Sequence, residues 1–292
     1  MHLIIIFASL TTTWFIRRNA SISAQCYHNF SSRWRQALFF FLFPPLLIFT
    51  TAIALLCMGT QGKMGMWQTG CLSYGFAIGS LVLFVVLLVR LAYQGWQSLR
   101  SVKVCTETKL GNQNVRLLDT AALFAGQIGF WKSELVISKG LLQSLSPAHL
   151  ETVLAHEQGH YYYRDTFWFF WLGWIRECSS WLPNTDALWQ ELLILRELRA
   201  DAYAASRVDN LLLAESLLLV VSGQTQSENN FSGGAEIFCA ALGSSSEGTR
   251  LEQRIEALLN YQQQFTDAQP CSQYWHNFLL ALLPLITVLF HQ

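Results

Sequence analysis

Five consecutive residues, His156-Glu157-Gln158-Gly159-His160, are of the types that metal-assisted hydrolysis requires. On an α-helix, residues four apart share a face, so both imidazoles can reach one zinc ion while Glu157 points toward the open coordination position. Two ligands are too few to hold the metal. A third is offered further along by Glu197-Leu198-Arg199-Ala200-Asp201, where two carboxylates again stand four apart. One of them can ligate the metal while the other holds a ligand histidine by its second ring nitrogen. By itself this second segment also reads as an ordinary surface helix, with Glu191, Arg196, Glu197, Arg199 and Asp201 as solvated charges. Behind a histidine helix, in a chain with only 13% charged residues, the ligand reading is preferred. Two His and one Glu leave the fourth zinc position to water, the arrangement of a catalytic rather than a structural site.

The histidine helix has a clear start, the hydroxyl cap Ser146 followed by Pro147 at the first helical position. Short strands are expected at Val115 to Asp119 and Glu134 to Ser138, with Ala121 to Lys132 between them carrying Gly126 and Gly129 as turn residues. Further helices are expected from Ala187 to about Ser206, Leu211 to Val221 and Thr249 to Tyr261. Ser/Gly-rich connections follow at Ser222 to Gly234 and Gly243 to Gly248. There is no internal repeat.

Composition sets the surroundings of this region. Apolar residues make up 52% of 292, and 19 Lys+Arg balance 19 Asp+Glu. Soluble domains average about 25% charge, so the chain reads as a membrane protein. Zero net charge offers no basic face, so no direct nucleic-acid contact is expected. Disorder is excluded, since 11 Trp, 20 Phe and 9 Tyr provide ample surface to bury. Ala37 to Met58 and Cys71 to Val89 are long enough to cross a bilayer; Pro44 and Pro45 in the first are tolerable if neighbours satisfy the carbonyls they free. Leu3 to Ile16 reads as a short first span. Phe278 to Phe290 is either a final anchor or a helix packed on the others. The expected organisation is thus a membrane region at 1–103, a catalytic domain at 104–277 and a terminal anchor at 278–290.

Cations set the orientation. Arg17, Arg18, Arg33 and Arg35 lie before the first long run and Arg90, Arg100, Lys103 and Lys109 after the second, whereas the loop between holds only Lys63. The positive-inside rule therefore puts the catalytic region in the cytoplasm. Cys57 and Cys71 would flank the outer loop, as free thiols or, in an oxidising compartment, as a pair. Seven cysteines without a Cys-x-x-Cys pair make neither a disulfide framework nor a zinc ribbon. Phe167 to Trp174 is nearly all aromatic or aliphatic, which suits either the membrane interface or a buried core helix. His2, His28, His276 and His291 have no ligand-like spacing.

The region from about Val115 to Leu259 resembles the membrane gluzincin metallopeptidases. The likeness is to the BlaR/MecR-type antirepressor peptidases in particular, with the HtpX-type and CAAX prenyl endopeptidases as relatives. It rests on Val115-Arg116-Leu117-Leu118-Asp119, Ala122-Leu123-Phe124-Ala125-Gly126 and Leu135 to Leu142. It also rests on Leu154 to His160, Arg164-Asp165, Glu197 to Asp201 and Arg254 to Leu259. Two features depart from the antirepressor pattern: Trp181-Leu182-Pro183-Asn184 inverts an aromatic-Asn-Pro stretch, and Gln292 ends the chain without a penicillin-binding sensor domain. The resemblance implies zinc on His156, His160 and Glu197, Glu157 as catalytic acid/base and Asp201 holding a ligand. The expected fold is an integral-membrane α+β protein, its transmembrane helices joined to a mostly helical zincin region with a small sheet.

The expected chemistry is hydrolysis of a peptide bond in a cytosolic or membrane-surface protein, such as a transcriptional repressor. The alternatives are quality control of membrane proteins, or a non-enzymatic sensor or scaffold that keeps a zinc site. Substrate is expected to extend along Glu134, Leu135, Val136, Ile137 and Ser138 as an added strand. Tyr203, Arg207 and His149 are the candidate oxyanion stabilisers. The partners are then a protein substrate and the lipid bilayer, and homo-oligomers are compatible with the sequence.

Overall fold

The computed structural model describes residues 2–20, 30–58, 63–64, 67–68, 71–110, 113–228, 247–260 and 278–289. Among these lie ten α-helices and six strands, which divide into two compact units. One unit comprises 1–91, 172–193 and 267–292; the other comprises 92–171 and 194–266.

In the first unit, α1 (His2–Arg18) packs along α2 (Phe30–Met58). Helix α2 runs unbroken through Pro44 and Pro45. Pro45 has no N–H to give the carbonyl four residues earlier, Phe41 O, and that oxygen instead accepts from Nη2 of the buried Arg17 at 3.1 Å. This is the neighbour-supplied compensation that a proline inside an apolar helix requires. Ile6, Ala52, Leu55 and Ala77 form a core between α1, α2 and α3 (Cys71–Val104). Strands β1 (Lys63–Met64) and β2 (Trp67–Gln68) make a minimal antiparallel pair. Cys57 is a free thiol. Toward the C-terminus a 3-10 turn (Leu280–Leu282) leads into α10 (Leu283–Leu289). This segment packs on α2, where Thr50 Oγ1 donates to Ala281 O at 2.6 Å.

Helices α2 and α3 are long and apolar enough to span a membrane by length and composition. Both outrun the apolar stretches read in the sequence: α2 starts seven residues before Ala37, and α3 continues to Val104. Helix α1, at 17 residues, falls short of that test.

The second unit is built on a four-stranded sheet in the order β3 (Thr106–Leu110), β4 (Gln113–Leu118), β6 (Glu134–Ser138), β5 (Ala125–Ile128). Strand β6 pairs parallel to β4 and antiparallel to β5. It therefore has no free edge, and the expectation that substrate would extend it at Glu134 to Ser138 is corrected. Its continuous apolar run is the mark of a central strand covered on both faces. Leu135 and Ile137 face the core of Val115, Leu141 and Leu145, against which Leu150, Val153 and Leu154 pack. Val136 faces the other way, into Val102 and Phe124. The edge strands of the sheet are β3 and β5, the latter in a segment whose glycines read as turns.

After α4 (Lys139–Ser144), helix α5 (Pro147–Tyr163) starts as its cap predicts, with Ser146 Oγ accepting from His149 N at 3.3 Å. It ends at Arg164, which adopts the left-handed conformation (φ 53°) of a helix C-cap. Helices α6 (Asp165–Cys178), α7 (Thr185–Ala205), α8 (Asn210–Glu228) and α9 (Glu247–Leu259) follow. Ala155, Ala204, Leu213, Ala214 and Leu258 form the small-residue core that joins α5, α7, α8 and α9. Buried hydroxyls of Thr152 and Ser216 meet in it at 2.6 Å. Most of the Ser/Gly-rich connections, His28, His276, His291 and the side chains of His2 and Cys71 lie outside the described residues.

Candidate metal centre and active site

Helices α5 and α7 bring the two sequence motifs together. They approach closely because residue 159 is glycine: a Cβ there would lie 3.1 Å from Ala200 Cα and 3.2 Å from Ala200 O. That contact is tighter than side chains ordinarily tolerate, so the Gly of the pentapeptide sets the interhelical distance. His156 and His160 face Glu197 across it, and donor atoms of all three lie within 4.8 Å of one another.

The spacing can be tested against a zinc shell. With bonds of about 2.0 to 2.1 Å, tetrahedral ligand atoms stand about 3.3 Å apart. Here the two Nε2 atoms are 3.1 Å apart, Glu197 Oε2 is 3.4 Å from His156 Nε2, and Glu197 Oε1 is 3.7 Å from His160 Nε2. The donor set is chemically that of zinc, and both Nε2 atoms converge. The residues fit the ion.

Each histidine is backed by a carboxylate, and each carboxylate by an arginine. Asp201 Oδ1 lies 2.8 Å from Nδ1 of His156, and Asp165 Oδ2 lies 2.7 Å from Nδ1 of His160. Arg254, from α9, grips Asp201 with both arms of its fork at 2.7 and 2.8 Å and stands 3.4 Å from Glu197. Arg199 donates to Asp165 and stacks 4.2 Å over the Tyr163 ring. Arg196 donates twice to Glu197 Oε1, at 2.9 and 2.7 Å. Asp165 and Asp201 are only 3% and 2% exposed, so these arginines offset what would otherwise be unsupported buried anions.

The charges respond as this packing dictates. Burial works to lower the basicity of His156, but Asp201 and Glu197 outweigh it and hold the metal-free imidazole up to about 10. His160 is also raised, by Glu197 and Asp165 against the opposing effect of burial. Glu197 is held well below the usual carboxylate range: burial opposes this, but Arg196 and the histidines prevail. Asp201 is lowered by Arg254 in the same manner, against its burial. The anions and cations of the cluster thus sit in tight pairs, and zinc entering it must displace the proton of His156.

Glu157 is 7% exposed, and its Oε2 has no hydrogen-bond partner. The three oxyanion candidates have different surroundings. Tyr203 packs against the zinc helix at Gly159 and its ring lies 5.2 Å from that of Tyr162. Arg207 stacks 3.5 Å over Tyr203 and donates to its carbonyl. His149 sits in the first turn of α5, with Nδ1 2.6 Å from Ser146 Oγ and Nε2 3.4 Å from Glu215. Sequence reasoning gave no role to Asp165, Arg196, Arg199 or Arg254. For Asp165, Arg196 and Arg199 a signal was available, since they flank the ligand motifs in a chain that uses few charges; Arg254 lies 53 residues from Asp201 and gave none.

A helix-borne His/His/Glu set, with a buried glutamate beside it that keeps one oxygen without a hydrogen-bond partner, defines a zinc-dependent protease site. Residues 107–172 match the family model of peptidase family M48. No curated protein matches the chain. The matched stretch carries His156, Glu157 and His160, and together with the ligand cluster it supports a zinc-dependent metallopeptidase whose residues 107–172 are similar to that family. Glu197 and Arg254 lie beyond the matched stretch; the structure alone brings them to the histidines.

Proposed function

We propose that the chain is a membrane-anchored zinc endopeptidase whose catalytic unit faces the cytosol and cuts proteins at the membrane surface. The observation that carries the chemistry is Glu157, a buried carboxylate within the ligand motif that keeps one oxygen unengaged. His156, His160 and Glu197 would hold a zinc ion, which when bound would supply Lewis acidity for the scissile carbonyl and lower the pKa of water toward about 7. Glu157 takes the water proton on its free oxygen and returns it to the leaving amine. Asp201 and Asp165 hold the Nδ1 sides of the histidines, so that both Nε2 lone pairs stay aimed inward. Tyr203, packed on the zinc helix, is the first choice among the three residues for stabilising the oxyanion.

Substrate is proposed to dock as an added strand on the outer edge of β5, which runs beside α5. Anchoring is supported by α2 and α3, and the cytosolic side by the arginines and lysines that flank them. The resemblance to HtpX-type peptidases, with two helices long and apolar enough to span a membrane, favours clipping of membrane proteins as the task. The motifs shared with antirepressor peptidases favour a second reading, cleavage of a single cytosolic regulator such as a repressor. Comparing the proteomes of cells carrying the wild type and Glu157→Gln separates them. Many stabilised membrane proteins are expected for the first, one or two stabilised regulators for the second. Unchanged proteomes, together with full function of Glu157→Ala, would instead favour the non-enzymatic sensor or scaffold.

A further inference from the structure

The turn between β5 and β6 and the start of α6 build a ring cluster that the peptidase chemistry does not use. Phe130 lies 5.2 Å from Phe167 and 4.9 Å from Phe170, and Trp131 lies 5.1 Å from Phe167. The outer members are open: Trp131 is 76% exposed and Trp168 57%, with exposed Lys132 beside them. Gly129 fixes the turn, since a Cβ there would fall 2.3 Å from Lys132 O. Two bare indoles held up by a packed aromatic base cost hydrophobic free energy in water. The same rings, with a lysine beside them, are the composition favoured at the headgroup level of a bilayer.

The same unit contains the end of the apolar helix α3. Tyr93 and Trp96 are exposed on it and Arg100 stacks 4.2 Å over Trp96, an aromatic and basic girdle following the lipid-compatible run. Below the girdle, Val102 packs into the cluster of Phe124, Val136 and Ile128, and the turn bearing Phe130 and Trp131 begins directly after Ile128. Trp96 is six residues from Val102, roughly 9 Å along the helix. The ring cluster and the girdle are thus tied to one small core.

We propose that Phe130, Trp131, Phe167 and Trp168 form a lipid-docking platform by which the catalytic unit rests on the bilayer interface. This presents the free edge of β5, which leads directly into the platform, to chain segments at the membrane surface. The proposal rests on the reading of α3 as a span, and its test separates the two. Trp131→Cys and Trp168→Cys, each labelled with an environment-sensitive fluorophore, are compared in the full-length protein reconstituted into vesicles of phosphatidylcholine with a minor share of phosphatidylglycerol. Brominated acyl chains serve as the quencher. Val85→Cys, on the exposed apolar face of α3, reports the span, and Glu151→Cys, exposed on α5, reports water. Labels at 131 and 168 are expected to be blue-shifted and quenched by the brominated lipid, less than at 85 and well above 151. Quenching at 85 with none at 131 and 168 would overturn the platform while keeping the span. No quenching at 85 would overturn both. Quenching at 131 relieved by a bound peptide inhibitor would assign the rings to the substrate cleft instead.

Discussion

Replacing Arg254 by methionine removes a cation that touches both the carboxylate behind His156 and the third ligand. Three effects compete. Loss of a cation beside the metal favours zinc. Loss of the fork leaves Asp201, 2% exposed, and Glu197 less firmly oriented, which disfavours it. Arg254 also holds down the basicity of His156, so its removal makes the proton that zinc must displace harder to expel. Two of the three effects oppose binding, and partners of this kind are worth about 10- to 100-fold in metal affinity, or about 1.4 to 2.7 kcal/mol. Zinc affinity measured by competition with a chromophoric chelator should fall within that range, and Arg254→Lys, which keeps the charge but not the fork, should fall between. If Arg254 acts through Asp201, the double variant with Asp201→Asn should be little worse than the poorer single. Unchanged or tighter zinc binding in Arg254→Met, or fully additive losses in the double variant, would refute the reasoning.

His156, held up to about 10, keeps the metal-free site protonated at neutral pH, and His160 is shifted in the same direction. Zinc affinity should therefore rise with pH from about 6 to 9, with at least about one proton released per zinc, read as buffer-dependent heat in calorimetry. In metal-free protein the sign for stability follows from the same shift. The His156 contribution is fully present below the ordinary histidine range and is lost as pH rises through about 10. Those of Asp201 and Glu197, whose values are depressed, are present above the ordinary carboxylate range and lost as pH falls through their lowered values. Gly159→Ala should force α5 from α7 and cost about 1 to 3 kcal/mol, with weaker zinc binding; a shift in thermal midpoint without loss of zinc would contradict the proposed spacing role. Arg199→Met should weaken zinc less than Arg254→Met, because Arg199 reaches only the carboxylate behind His160, and the same competition assay ranks them.

The ligand set was legible because its signal is local and strong: i, i+4 pairs on helices with a clean cap at Ser146-Pro147. The central strand was legible as a strand, but not as central. Its apolar run Leu135-Val136-Ile137 was the available clue, since an edge strand would alternate. Strand β5 was missed because Gly126 and Gly129 read as punctuation, although β5 closes the sheet through four paired positions with β6. The continuation of α3 past Arg90 was missed because hydropathy ends there while helix geometry does not. The arginines behind the carboxylates could not be assigned from spacing, since Arg254 reaches Asp201 across 53 residues. Only the fold supplies that contact.

The central claim is a His156/His160/Glu197 zinc site operated by Glu157. It is tested most directly by measuring zinc content and peptide hydrolysis together on the purified full-length protein, as wild type, Glu157→Gln and Glu197→Ala. The expected result is about one zinc per chain in the wild type, retained without hydrolysis in Glu157→Gln and lost in Glu197→Ala. Hydrolysis persisting in Glu157→Gln, or a folded wild type that takes up no zinc when supplied with it, would contradict the account.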